Sequence, residues 1–179
     1  ILCKQIGIAK DGLYSSMRES HKYDASNFEY LDELWRSNVV GVKEPSVSAA
    51  AITAQADRDV NPDAPICIGM DYNANINWIV AGQPSGNRLN VIKSFYVKFE
   101  RKLPALVDDF CRYYAEHRNK QVIFYYDTTA LGSNYAVNTQ DFRWVIINEF
   151  EKHGWSVTDV YLGNPMRHDE KYLLINQAF

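Results

Sequence analysis

Two aspartates stand where short apolar runs stop: Asp71 closes "PICIGMD" and Asp127 closes "QVIFYYD". An unpaired carboxylate is costly to bury, so each must meet a cation or open onto solvent at the end of its run. Carboxylates are hard oxygen donors, and a pair of them in a strand-end cleft suits Mg2+ or Mn2+ better than zinc. Such a pair can hold two divalent ions roughly 3.5–4 Å apart, one activating water and one stabilising a leaving phosphodiester oxygen. The competing reading is local. Asp127 would cap the loop "TTALGSN", and Asp71 would open an Asx turn with Asn73. The choice depends on whether the fold brings the two run-ends together.

The elements that must position them can be read from periodicity. "ICIGMD" is a short strand with apolar residues on both faces, which predicts a central place in a sheet. "NINWIVAGQ" predicts a second strand, "PSGN" a turn and "RLNVIKSFYV" a third strand, linked closely enough for an antiparallel meander. "KLPALVDDFCRYYAEH" sets Leu106, Phe110, Tyr113 and Tyr114 on one helical face, with Pro104 in its first turn. "QVIFYYD" is another double-faced strand. "TQDFRWVIINEFEKHG" predicts a helix ending at Gly154, "WSVTDVYLG" a fifth strand and "HDEKYLLINQAF" a third helix.

The order β-β-β-α-β-α-β-α describes an α/β fold with a mixed five-stranded sheet: three antiparallel strands, then two parallel additions, with flanking helices. Crossovers between parallel strands are right-handed in nearly every case. If the fourth strand pairs beside the first, Asp71 and Asp127 end adjacent parallel strands about 4.8 Å apart. Parity agrees, since Asp71 shares a face with Cys67 and Gly69, and Asp127 with Ile123 and Tyr125.

Residues 1–64 read differently. "GIAKDGLYSSMRESHKYDA" is polar and aperiodic, "SNFEYLDELWRS" offers a capping box from Ser26 and Glu29 for a short helix, and "SVSAAAITAQADRDVNPDAP" is a connector. The expected division is an extended arm, short helix and linker over 1–64, and a compact domain over 65–179. The chain has 179 residues, is 46% apolar and carries a formal net charge of −3, so any nucleic-acid contact must be a local patch. Three scattered cysteines (Cys3, Cys67, Cys111) argue against a disulfide scaffold and a zinc site, and for a reducing compartment. No apolar run reaches the length of a membrane span. The first residue is Ile, which suggests a segment of a longer protein.

"GMDYNAN" with its following hairpin, "VIFYYDTTALGSN" after a helix, and "VYLGNPMRHDEKY" resemble the nuclease domain of the large terminase subunit of tailed bacteriophages and prophages. The resemblance covers residues 64–179, and the "GLYSSM…H" arm is similar to the segment that follows the family's ATPase motor. It implies a ribonuclease-H-like fold and an endonuclease cutting double-stranded DNA during viral genome packaging, with two Mg2+ or Mn2+ ions held by Asp71 and Asp127. It also implies an upstream motor domain, a portal protein and a small terminase subunit as partners, no membrane, and the bacterial host cytoplasm as location. The chain shows no GxxxxGK[ST] phosphate loop, so by the resemblance the motor lies before Ile1. Such nucleases use a third acid from a late helix. Asp169 has the right topological place for a plain ribonuclease-H fold. In terminases that region carries a basic residue entering a helix, and the third acid lies further on. The expected position is therefore beyond Phe179, leaving 1–179 without a complete metal site, and Asp169 is the alternative.

Positive charge near the cleft is expected from "KSFYVKFERK", which holds Lys93, Lys98, Arg101 and Lys102, and from Arg167 and Lys171 after the fifth strand. Lys98, Arg101, Arg167 and Lys171 are the candidate DNA contacts. His168 is a surface histidine or a proton shuttle. Two rivals remain: an actin-like phosphotransferase, although no glycine-rich phosphate loop stands between Asp71 and Trp78, and a non-catalytic nucleic-acid or capsid-docking module of the same fold.

Overall fold

The computed structural model describes residues 53, 54, 60–72, 76–98, 102–132 and 141–178. The arm, the expected helix at "SNFEYLDELWRS" and Arg101 lie outside them. Strands β1 (Ile66–Tyr72), β2 (Ile76–Ser85) and β3 (Arg88–Lys98) are followed by α1 (Leu103–Tyr113) and β4 (Gln121–Tyr126). A 3-10 turn (Thr128–Leu131), α2 (Phe142–Lys152), β5 (Ser156–Tyr161) and α3 (His168–Ala178) complete the order. The meander turns on Gly86 and Asn87, with Ser85 paired to Arg88. Gly86 has φ +61°, the left-handed conformation that a two-residue hairpin requires and that glycine adopts without strain.

The five strands form one sheet in the order β3-β2-β1-β4-β5. β1–β2 and β2–β3 are antiparallel, while β1–β4 and β4–β5 are parallel. This is the mixed five-stranded arrangement expected from the element order, and the one that the resemblance implies as ribonuclease-H-like.

The apolar residues on both sides of β1 predicted a central place in the sheet, and β1 holds it. Of β1 and β4, however, only one face is covered among the described residues. Ile66, Ile68, Val122 and Phe124 are buried, whereas Gly69, Asp71 and Tyr125 on the other face are exposed. The reason is the direction of the crossovers. β3 to β4 through α1 and β4 to β5 through α2 both step the same way across the sheet between parallel strands. Right-handed crossovers that step the same way put both helices on the same face.

That face holds the core. Leu106, Phe110, Tyr113 and Tyr114 of α1 are all buried, as the helical spacing predicts. Phe110 meets Phe95 of β3, Phe150 of α2 and Trp155 at ring separations of 5.5, 5.2 and 5.5 Å. Asp141 caps α2 by accepting from the Trp144 N–H at 2.6 Å, and Gly154, at φ +75°, ends it.

Buried polar groups fasten the segment before β1. Gln83 accepts from the Asn61 N–H and donates to the Asn61 carbonyl, both at 2.9 Å. His117, 3% exposed, places Nε2 2.8 Å from the Ala64 carbonyl, which makes Nε2 the protonated nitrogen. Its ring stacks on Trp155, and Nδ1 has no hydrogen-bond partner among the described residues. Burial lowers its pKa, and Lys120 and Arg118 push the same way, against the Ala64 hydrogen bond and the Asp63 charge. Because the folded value lies below the unfolded one, the unfolded chain binds more protons as pH falls. The stability contribution is complete above about pH 6.5 and declines as pH falls through the folded value. Urea unfolding at pH 7 and pH 5 should show a loss no steeper than about 1.4 kcal/mol per pH unit, the limit for one proton. His117→Gln should flatten that slope, and an unchanged slope would assign it to other groups.

The compact unit Ala25–Asn164 contains the sheet, and Pro165–Phe179 belongs to a second unit. Taken by itself, α3 has no buried side chain, and its first turn carries Asp169 and Glu170. Carboxylates there complement the positive end of the helix dipole. No helix among the described residues is long and apolar enough to cross a membrane.

Candidate active site at the carboxyl edge of the sheet

Register decides how Asp71 and Asp127 stand. Cys67 pairs with Ile123 and Gly69 with Tyr125 across the parallel β1–β4 ladder. Two more residues along each strand reach Asp71 and Asp127, and the Asp127 backbone is still extended at φ −110° and ψ −173°. The alternation of strand side chains carries both onto the face of Cys67, Gly69 and Tyr125. The end of β5 holds the Asp127 backbone from both sides. Leu162 N–H donates to the Tyr126 carbonyl at 2.7 Å, and Thr128 N–H donates to the Gly163 carbonyl at 2.9 Å. Gly163 has φ +86°, so a side chain there would strain the loop that supplies this bond.

Tyr72 reports on both acids. Its hydroxyl is buried with no hydrogen-bond partner among the described residues, and its ring stacks on Phe142 at 5.1 Å. Burial first, then the charges of Asp127 and Asp71, raise its pKa far above the ordinary tyrosine value. Both carboxylates therefore act on one hydroxyl. Asp127 also does what the local reading expected, since its Oδ1 accepts from the Thr129 N–H at 2.8 Å and from the Thr129 hydroxyl, capping the 3-10 turn. Capping occupies one carboxylate oxygen. Asp71 is exposed, and no hydrogen bond to its side chain occurs among the described residues.

The donor set suits a hard divalent cation in kind, with exposed or partly exposed oxygens on one sheet edge. It is a partial set. No group of three or more His, Cys, Asp or Glu residues converges among the described residues. Asp169 has the Arg167 Nε 3.2 Å away, and both are well exposed. Glu170 accepts from the Arg167 N–H at 3.2 Å. His168 and Lys171 are exposed.

The basic stretch of β3 splits. Lys93 lies on the helix-covered face, with Nζ 4.5 Å from the Tyr113 ring centroid. Lys98 is exposed on the opposite face, with Nζ 5.2 Å from the Tyr96 ring centroid. They stand five positions apart on the strand, an odd step, so alternation sends them to opposite faces. Lys102 is exposed at the start of α1. A partly exposed network that sequence reading missed lies beside β4: Arg143 and the Tyr126 hydroxyl both donate to Asp159, at 2.7 and 3.2 Å. The Arg143 hydrogen bond holds the Asp159 carboxyl below its ordinary range. Asp159 sits mid-strand on the core face, a polar exception in an apolar pattern, and that was the available signal.

No protein-family description and no curated protein matches the sequence. Among solved structures, the chain is similar to the large terminase of a thermophilic bacteriophage, with a TM-score of 0.42 and 12% identity, covering 66% of this chain and 28% of that one. It is also similar to RuvC of Thermus thermophilus, with a TM-score of 0.39 and 12% identity over 62% of this chain and 76% of that one. A Fowlpox virus resolvase in complex with Holliday junction DNA has a TM-score of 0.33 and 8% identity, over 59% and 67% of the two chains. The chain thus spans 28% of the length of the terminase it resembles.

Proposed function

We propose that this chain is the nuclease domain of a phage or prophage DNA-packaging terminase, a metal-dependent endonuclease that hydrolyses phosphodiester bonds of double-stranded DNA. In this reading residues 65–179 form the nuclease domain and residues 1–64 its arm. The chain works in the host cytoplasm beside a motor domain, a portal protein and a small subunit. The observation that carries the reading is the register that aligns Asp71 with Asp127 on one exposed face at the carboxyl edge of β1 and β4. Asp71 and the uncapped oxygen of Asp127 would hold Mg2+ or Mn2+. A bound divalent ion there supplies charge for a developing oxyanion and a water of lowered pKa. The chain's own part is to hold the two carboxylates at a fixed spacing through the β1–β4 ladder and the Thr129 cap. Mn2+ titration followed by calorimetry tests this. Heat of binding that disappears in the Asp71→Asn, Asp127→Asn double variant is expected, and equal binding by both proteins would remove the metal site.

Arg167 and Lys171 are proposed to contact the DNA backbone. Phosphate contacts bind without reading sequence, and each neutralised phosphate steepens the salt dependence by about one unit. Replacing both with Ala should weaken duplex binding similarly for unrelated sequences and lower the salt slope by up to about two. Unchanged affinity and slope would move the path of DNA toward Lys98 and Arg101.

A further inference from the structure

The face of the sheet that bears the two aspartates also carries an aromatic surface. Trp78 of β2 pairs with Asp71 on one side and Tyr96 of β3 on the other. The Trp78 and Tyr96 rings lie 4.9 Å apart at 34°. Lys98, two residues along β3, holds its ammonium 5.2 Å from the centre of the Tyr96 ring. Across β1, Tyr125 is 39% exposed, and Tyr96 is 52% exposed. Between these rings β1 presents Gly69, where an added Cβ would meet nothing within 4 Å. The floor between the aromatics is therefore open.

We infer that this face is a stacking platform for an unpaired DNA strand, with bases on the Trp78–Tyr96 pair and on Tyr125 and the backbone led toward Asp71 and Asp127. Exposed and partly exposed rings on a sheet can take bases by stacking, and every base has a π-face whatever the sequence. An intact duplex keeps those faces stacked on each other and offers only base edges and phosphates, so the rings would find no partner in it. Charge separates this occupant from a protein segment. An apolar helix laid over the same residues would bury the Lys98 ammonium and the Asp71 carboxylate, a heavy cost for unpaired charges. A nucleotide strand leaves Lys98 beside a phosphate and Asp71 beside solvent or a cation. The inference deepens the nuclease reading and depends on it only for the direction of the backbone.

Fluorescence anisotropy in EDTA, with a labelled oligo-dT and a blunt duplex of equal length, tests binding apart from cleavage. The single strand should bind more tightly than the duplex. Tyr96→Ala or Trp78→Ala should weaken oligo-dT binding roughly 5- to 150-fold, the range of one aromatic–base stack. Tyr96→Phe, which keeps the ring, should bind like the parent, and Gly69→Leu, which raises the floor, should not. Equal affinity for single strand and duplex, or unchanged oligo-dT affinity in both alanine variants, would overturn the platform. Mn2+ uptake and cleavage surviving in those variants would leave the nuclease reading standing. Ring-dependent strand binding by a chain that takes up no Mn2+ supports the platform and removes the nuclease.

Discussion

In the intact protein, where a third acid completes the site, replacing Asp71 or Asp127 with Asn is expected to lower metal-dependent cleavage of plasmid DNA about a thousandfold or more while leaving the unfolding midpoint nearly unchanged. A bound divalent ion contributes several kcal/mol of charge stabilisation in phosphoryl chemistry, and each 1.36 kcal/mol is tenfold in rate. Asn keeps the shape and one oxygen of Asp, but not the charge that retains the cation. The structure makes Asn the right substitution at Asp127, because Oδ1 there also caps the 3-10 turn through Thr129. Asp127→Asn keeps that acceptor, whereas Asp127→Ala should lose about 0.5–2 kcal/mol, the usual cost of removing a cap. Among the described residues Asp71 has no such second duty, so neither its Asn nor its Ala variant should unfold earlier. Plasmid nicking followed on gels, with urea unfolding in parallel, separates the two effects. Parent-level cleavage by Asp71→Asn would sink the paired-carboxylate site.

Phe110→Ala should produce the largest loss of stability, about 3–5 kcal/mol, the range for emptying a buried aromatic site. Phe110 is fully buried and touches the rings of Phe95, Tyr114, Phe150 and Trp155. Those neighbours come from β3, the residue that caps α1, α2 and the residue that leads into β5, so no single segment can shift to fill the hole. A domain stable by about 5–15 kcal/mol would lose a large share of its margin. The midpoint of urea unfolding should fall with its slope unchanged. A loss under about 1 kcal/mol would mean that the cluster relaxes, against the close packing of a single core.

Much of the fold was legible because each strand and helix carries its own period. Leu106, Phe110, Tyr113 and Tyr114 recur at helical spacing and are all buried. Proline in the first turn of α1 and glycine at the meander turn mark their elements by backbone chemistry alone. The expected turn over "PSGN" was wider than the observed one, since β2 continues through Ser85 and only Gly86 and Asn87 leave the ladder. Boundaries of that kind are set by cross-strand hydrogen bonds, which local composition does not encode. The site was legible in part. Asp71 and Asp127 could be picked out as acids ending apolar runs, but the capping bond from Asp127 to Thr129 and the metal reading were posed as rivals. The structure has the cap occupying one oxygen only.

The amino-acid sequence by itself determined the type and order of the elements, because hydrophobic periodicity and turn residues act over a few neighbours. With the crossover preference, that order also implied two parallel additions to the sheet; that β4 lies beside β1 was a condition the sequence left open and the structure meets. The tertiary structure alone decided which side of each strand is wet. β1 and β4 are apolar on both sides in sequence, and burial of one side followed from two crossovers stepping the same way, a property of the whole chain path. Because α1 and α2 occupy the same face, Gly69, Asp71, Tyr96 and Tyr125 are left open to solvent on the other. Long-range pairing likewise set the register that aligns Asp71 with Asp127, since residues far apart in the chain can be matched only by the ladder that joins their strands.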